Sequence, residues 1–169
     1  MIEIYERLGT DSVRPIDATV RLTHEQRDRG RLKLTSTDGE EVRVFLERGK
    51  PLLVGEYLRS QCGRIVQVEG AVEAVMEASC NDWRTFARGC YHLGNRHVKL
   101  QVGERWLRIT PDHVLEEMLE LLGLTITHTE AVFVPESGAY ASGHGHSHHS
   151  HSHHGHDHSD HHHDDGHHA

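Results

Sequence analysis

Asn81-Asp82-Trp83-Arg84-Thr85-Phe86-Ala87-Arg88-Gly89-Cys90-Tyr91-His92-Leu93-Gly94-Asn95 is the stretch whose reading decides the fold. Asn81 or Asp82 offers a side-chain oxygen to the first free N–H groups of a helix. Trp83, Phe86, Ala87, Cys90 and Leu93 recur at the helical period and predict one buried face. Arg84, Arg88 and His92 fall on the other face. Gly94-Asn95 predicts the stop, because both residue types accept the left-handed conformation past a helix end. Working outward, Val72 to Ala78 is apolar enough for a buried strand. Val98, Leu100 and Val102 alternate with polar neighbours, as do Leu107 and Ile109 after the Gly103-Glu104 turn. Thr110 as cap and Pro111 in the first turn predict a second helix, since a missing N–H costs nothing there. Its expected buried face is Val114, Leu115, Met118, Leu121 and Leu122, and Gly123 ends it. Leu124 to Val134 supplies the last strand. The order β-α-β-β-α-β predicts a ferredoxin-like domain over residues 71–135, two helices on one side of a four-stranded antiparallel sheet.

Upstream, residues 1–70 read as a small all-β domain, so the fold class is α+β. Apolar pairs alternate with polar residues at Ile2/Ile4, Ala18/Val20/Leu22, Leu32/Leu34, Val42/Val44 with Phe45, Leu52/Leu53 and Ile65/Val66/Val68. Asp38-Gly39 is the strongest hairpin signal, because both residues tolerate positive φ. Thr23-His24-Glu25-Gln26 has capping-box spacing and predicts one helical turn. This domain is a candidate for binding a partner or a peptide.

The third region, residues 136–169, holds Ser, Gly, His and Asp without apolar periodicity. Such a segment cannot bury a core and is expected to be disordered. The chain has 19 histidines, and 14 of them fall here: His144, His146, His148, His149, His151, His153, His154, His156, His158, His161, His162, His163, His167 and His168. Neutral imidazole ligates nickel, copper, zinc and cobalt. Interleaved Asp157, Asp160, Asp164 and Asp165 soften repulsion among bound cations. The pattern is broken by Ser, Gly and Asp, unlike the contiguous run of a purification tag. It points to metal binding and leaves the choice among Ni(II), Zn(II), Cu(II) and Co(II) open.

Charge excludes other classes. The 169 residues carry 26 Asp+Glu against 18 Lys+Arg, a formal net charge of -8 with histidine neutral. An acidic chain is a poor general binder of nucleic acid or anionic membrane. No apolar run approaches the roughly 18 residues a bilayer span needs. Met1-Ile2-Glu3-Ile4-Tyr5-Glu6 has neither basic nor apolar signal-peptide character. Three cysteines, Cys62, Cys80 and Cys90, give no disulfide framework and fit a reducing, cytoplasmic setting.

The run Tyr91-His92-Leu93-Gly94-Asn95-Arg96-His97 after a short helix resembles the signature of UreE, the nickel metallochaperones of urease maturation. Asp112-His113-Val114-Leu115-Glu116-Glu117-Met118 is similar to that family's following helix. Phe45-Leu46-Glu47-Arg48-Gly49 with Gly55-Glu56-Tyr57-Leu58 is similar to its first domain. The likeness covers residues 1–135. It implies a homodimer with two domains per chain, a nickel ion held between chains by the residue matching His97, and delivery to an apo-urease complex with a GTPase accessory protein. His92 and His97 are five residues apart, about 140° around a continuous helix, and so make poor partners for one ion within one chain. A shared His97 at a two-fold axis resolves this, because the second chain brings its own copy. Taken alone, His97 reads as a helix-terminal cap.

His92 reads equally as a solvated histidine or a peripheral ligand. His113, near a helix N-terminus with Glu116, Glu117 and Glu120, reads equally as a ligand or a surface residue. Pro111 departs from the second histidine some members of the family carry there, which puts that peripheral site in doubt. Cys80 is a candidate thiolate ligand or a small buried residue. Cys62 and Cys90 read as structural, His24 as a turn residue, His128 as a partly buried sheet residue, and Arg27, Arg29 and Arg31 as a solvated basic run, with an acidic partner as the alternative. The alternative function is a histidine-rich metal buffer without a client. A metalloenzyme would need three converging ligands and a general base, and no such motif is present, so no enzymatic activity is expected.

Overall fold

A computed structural model describes residues 1–138; the histidine-rich tail from residue 139 on lies outside the described residues. The first sheet has six strands: β1 (Ile2–Gly9), β2 (Ala18–Leu22), β3 (Arg31–Thr35), β4 (Glu41–Phe45), β5 (Tyr57–Ser60) and β6 (Ile65–Gly70). Their order is β2-β6-β5-β1-β4-β3. β1 runs parallel to β4 and β2 parallel to β6, while the other pairs are antiparallel. The alternation read from sequence sends Ile2, Ile4, Val20, Leu22, Val42, Val44, Val66 and Val68 into one core, each almost wholly buried. Burying one such side chain is worth about 1.5–3 kcal/mol, so this face holds the sheet together.

Two local expectations changed and one held. Leu52 is buried, but in a loop; the strand is β5, whose bulged pairing with β1 hides the alternation. In the β3–β4 turn only Gly39 has positive φ, +87°. The Gly39 N–H donates to the Ser36 carbonyl at 3.0 Å, and the Ser36 N–H donates to the Glu40 carbonyl at 2.8 Å. The capping box forms as read: Thr23 caps α1 (His24–Arg27), and the Gln26 side chain returns the bond.

The second sheet comprises β7 (Val72–Ser79), β8 (Gln101–Val102), β9 (Trp106–Ile109) and β10 (Thr125–Val132), with helices α2 (Trp83–Asn95) and α3 (His113–Leu122). The order β10-β7-β9-β8, antiparallel throughout, is the ferredoxin-like arrangement. Met76, Ala78, Phe86, Leu93, Leu107, Ile109, Leu119 and Leu124 form its core. The helices sit differently on it than their periodicity suggested. On α2, Phe86, Gly89 and Leu93 are buried, while Trp83 and Ala87 are exposed. On α3 the inward stripe is Leu115, Met118, Leu119 and Leu122, and Val114 and Leu121 stay outside. Asp112, not Thr110, caps α3, accepting from the N–H groups of Val114 and Leu115, so Pro111 precedes the cap.

A polar clasp joins the two sheets. The Glu73 carboxylate on β7 accepts from the His24 N–H at 2.8 Å and meets its ring Nδ1 at 2.8 Å. His24 is therefore a buried contact between the sheets, edge-on to Phe133 at 4.8 Å, and not merely a turn residue. Arg27 is also buried and donates to the carbonyls of Leu22 and Phe133. It departs from the solvated basic run to which sequence assigned it. Lys99 pairs with Asp28 across the same seam.

Candidate metal centre

His97 stands where α2 ends, and the ending differs from the sequence reading. Gly94 and Asn95 are helical, and Arg96 is the C-cap at φ -92°. The residue that turns left-handed is His97, at φ +54°. Its N–H donates to the Gly94 carbonyl at 3.0 Å, and the Val98 N–H donates to the Leu93 carbonyl at 3.2 Å. Those two bonds make a Schellman motif with histidine in the place glycine usually fills. A side chain there costs roughly 1–2 kcal/mol relative to right-handed backbone. The cost is offset by the two carbonyls it satisfies, and it leaves the His97 side chain exposed beyond the helix.

His92 is half-buried on the preceding turn, its ring edge-on to Tyr91 at 5.4 Å. It lines a groove of about 380 Å3 between α2 and α3, together with Arg96, Val114, Glu117, Met118, Leu121 and Leu122. Leu121 is 89% exposed, Tyr91 65% and Val114 61%. His113 is exposed in the first position of α3. Cys80 is half-buried and its thiol donates to the Asp82 carbonyl at 3.0 Å. Cys90 is half-buried on α2, and burial pushes its thiol up from the usual range, which disfavours the nucleophilic thiolate. Among the described residues, no three His, Cys, Asp or Glu side chains come together around one point. His92, His97 and His113 therefore join no cluster of three or more such donors among the described residues. The fourteen tail histidines fall outside the described residues.

Two groups escaped the sequence reading. His128 is exposed, and its Nε2 sits 3.0 Å from both Glu116 oxygens, so it reaches the α3 side of the sheet and is not a partly buried sheet residue. Its parity with Ile126 gave the face; nothing in the sequence gave the Glu116 partner. Glu117 in the His92 groove is the other. Its helical spacing from His113 was visible, but its proximity to His92 depends on how α2 and α3 pack.

The end of the described chain comes back to this region. The Glu136 N–H donates to the Leu100 carbonyl at 2.7 Å, and the Val134 N–H donates to the Gln101 side-chain oxygen at 3.1 Å. The last described residues therefore run alongside residues three and four positions beyond His97. No helix among the described residues is long and apolar enough to cross a membrane.

Comparison with known proteins agrees with this architecture across both sheets. Residues 4–71 match the family model described as UreE urease accessory protein, N-terminal domain, and residues 73–169 match its C-terminal domain. The chain is 72% identical over 146 residues to the urease accessory protein UreE of Marinomonas sp. (strain MWYL1), covering 86% of this chain and 99% of that relative. It is 55% identical over 132 residues to the protein of that name from Alteromonas mediterranea, covering 78% and 86%. It is 46% identical over 148 residues to that from Psychromonas ingrahamii, covering 87% and 97%. The chain belongs to the UreE urease accessory protein family, a family of accessory chaperones and not of enzymes.

Proposed function

We propose that the chain is a cytoplasmic nickel carrier in urease maturation, taking Ni(II) as cargo and handing it to an apo-urease complex through a GTPase accessory protein. The observation that carries this reading is His97, an exposed histidine in left-handed backbone at the end of α2. Backbone strain at a non-glycine residue persists where the side chain is needed. A lone histidine cannot hold an ion, but a two-fold dimer brings two copies to one point. The exposed Tyr91, Val114 and Leu121 beside the His92 groove supply apolar area for such a contact. His92 and His113 then act as peripheral ligands, with Cys80 as a donor for softer ions such as copper.

The tail supplies further imidazoles. From Glu136 to His144 is roughly eight residues, a span of up to about 26 Å, whereas His97 lies within about 11 Å of chain from Leu100. That span is long enough for the first tail histidines to extend to His97 of their own chain. Open, incompletely saturated sites suit a carrier, because ligand exchange proceeds through the vacant positions. Zn(II), Cu(II) and Co(II) also suit imidazole donors, and copper binds nitrogen sites more tightly than nickel. Selectivity then rests on geometry, partner and supply. In this reading residues 1–70 form the partner-binding domain, residues 71–135 the domain of the shared site, and residues 136–169 the metal-collecting tail.

The alternative is a metal buffer without a client. Calorimetric nickel titration of the full chain beside a chain ending at Ser142 separates body sites from tail sites. The carrier reading expects a severalfold drop in stoichiometry while one tight body event survives in a folded dimer. A truncated chain with no tight event would favour the buffer.

A further inference from the structure

Arg29, Arg31 and Arg48 line two adjoining hollows on the first domain, and both hollows share Arg31 and Arg48. All three are exposed, and none has a carboxylate partner within ion-pair distance among the described residues. Gly30 makes the grouping possible: a Cβ there would lie 2.5 Å from the Leu46 carbonyl oxygen. The start of β3 thereby runs hard against the end of β4. Of the acids lining the hollows, Asp28 is already held by Lys99, and Glu47 alone stands beside three guanidinium groups. The excess positive charge calls for an anionic occupant. A second copy of this face would set arginine against arginine. Phe45, exposed and stacked on Tyr5 at 5.2 Å, adds a ring face at the edge of the hollow.

The chain's own tail has matching chemistry. Asp157, Asp160, Asp164 and Asp165 are interspersed with imidazoles, a segment that offers carboxylates to guanidinium groups and ring faces to Phe45. The route is short. Glu136 and Ser137 line the cleft where the described chain ends, Asp28 lines the same cleft, and Asp28 also lines the arginine hollow. Roughly 20 residues separate Gly138 from Asp157, enough to span about 60 Å. Tethering makes the encounter intramolecular. We propose that the Asp157–Asp165 segment docks on Arg29, Arg31 and Arg48 of the same chain and is released when divalent cations fill its histidines. Each bound cation brings two positive charges into a segment whose docking depends on its negative charge. By linkage, docking and metal uptake oppose one another by the same factor. The release half rests on the carrier reading above; the docking half does not.

The test uses the full chain, the chain ending at Ser142, and the triple variant Arg29→Gln, Arg31→Gln, Arg48→Gln in both lengths. In metal-free NMR spectra, amide shifts between the two lengths are expected to gather at Asp28–Leu32 and Phe45–Gly49. They should vanish in the triple variant, in about 0.5 M salt, where screening is strong, and with saturating Zn(II), a diamagnetic cation. In nickel calorimetry the tail events of the full-length triple variant should tighten about twofold to fivefold, the low end of typical coupling. The truncated pair should be identical. No shifts at the arginines in metal-free spectra would overturn docking. Shifts that persist at saturating Zn(II), or tail affinity unchanged by the triple variant, would overturn release. A tail that takes up no nickel would overturn the carrier reading, and docking would still stand or fall on the metal-free spectra.

Discussion

Arg27→Met removes the guanidinium that ties α1 to the end of the second sheet. The side chain is buried and donates to the Leu22 carbonyl at 2.9 Å and to the Phe133 carbonyl. The two acceptors fare differently in its absence. Leu22 keeps the Ala71 N–H at 2.8 Å. Among the described residues, the Phe133 carbonyl has no second partner in hand, and a buried orphan of this kind costs about 1–3 kcal/mol. Against that stands relief of the guanidinium's own desolvation, which already pushes its pKa below the usual range while Glu73 and Asp28 push it back up. Methionine refills most of the volume, so the net loss is about 2 kcal/mol. For a chain of this size that corresponds to a Tm lower by about 4–8 °C. Urea unfolding followed by both near-UV and far-UV circular dichroism reads the loss. Limited proteolysis between Glu69 and Val72 reads whether the two sheets have separated. Arg29→Met, on the exposed neighbour, should change stability by no more than about 0.5 kcal/mol. A buried-site variant as stable as that control, with cleavage between the sheets unchanged, would refute the clasp.

Two further outcomes follow from local geometry. His97→Gly should raise the Tm of the metal-free protein by a few degrees, since glycine occupies φ +54° without the cost a side chain bears, while abolishing the tight metal event; a lower Tm in thermal melts would contradict the strained-cap account. Glu40 is held down to about 2 by hydrogen bonds from Arg64. Its folded pKa is depressed, so the stability it contributes is present above its ordinary value of 4.5 and is lost as pH falls from there toward 2. Glu40→Gln should therefore flatten the acid side of a Tm-against-pH curve in that window, and an unchanged acid limb would count against the pairing.

Local signals in the sequence carried far where one chemical rule acts alone. Thr23-x-x-Gln26 closed its box, Asp82 capped α2, Gly123 ended α3 in left-handed backbone, and alternating valines and isoleucines filled the first core. Readings failed where tertiary packing chose among equivalent residues. Val114 and Leu121 have the same periodicity as Leu115 and Leu122, yet only the latter pair meets the sheet. Gly94 and Asn95 are better left-handed formers than His97, but the helix runs on through them. Arg27 and Arg29 are indistinguishable in sequence, and only the docking of the second sheet buries one of them. In sequence the candidate site is a run of residues with a donor chemistry. That His92, His97 and His113 join no cluster of three donors among the described residues, and that the chain end returns to Leu100, required the fold.

The central claim is that His97 from two chains holds the tightest nickel ion. Nickel calorimetry on His97→Ala in the full chain, with the tail intact, tests it most directly. His92→Ala and His113→Ala serve as comparisons, because in the proposed arrangement water or a tail imidazole can replace either of these peripheral ligands. In the proposed dimer, one substitution at His97 would remove two ligands. The account predicts that His97→Ala loses the tightest event and keeps the weaker tail events, while His92→Ala and His113→Ala keep it. A tight event persisting in His97→Ala at one ion per two chains would contradict the shared site and leave the tail as the source of the binding.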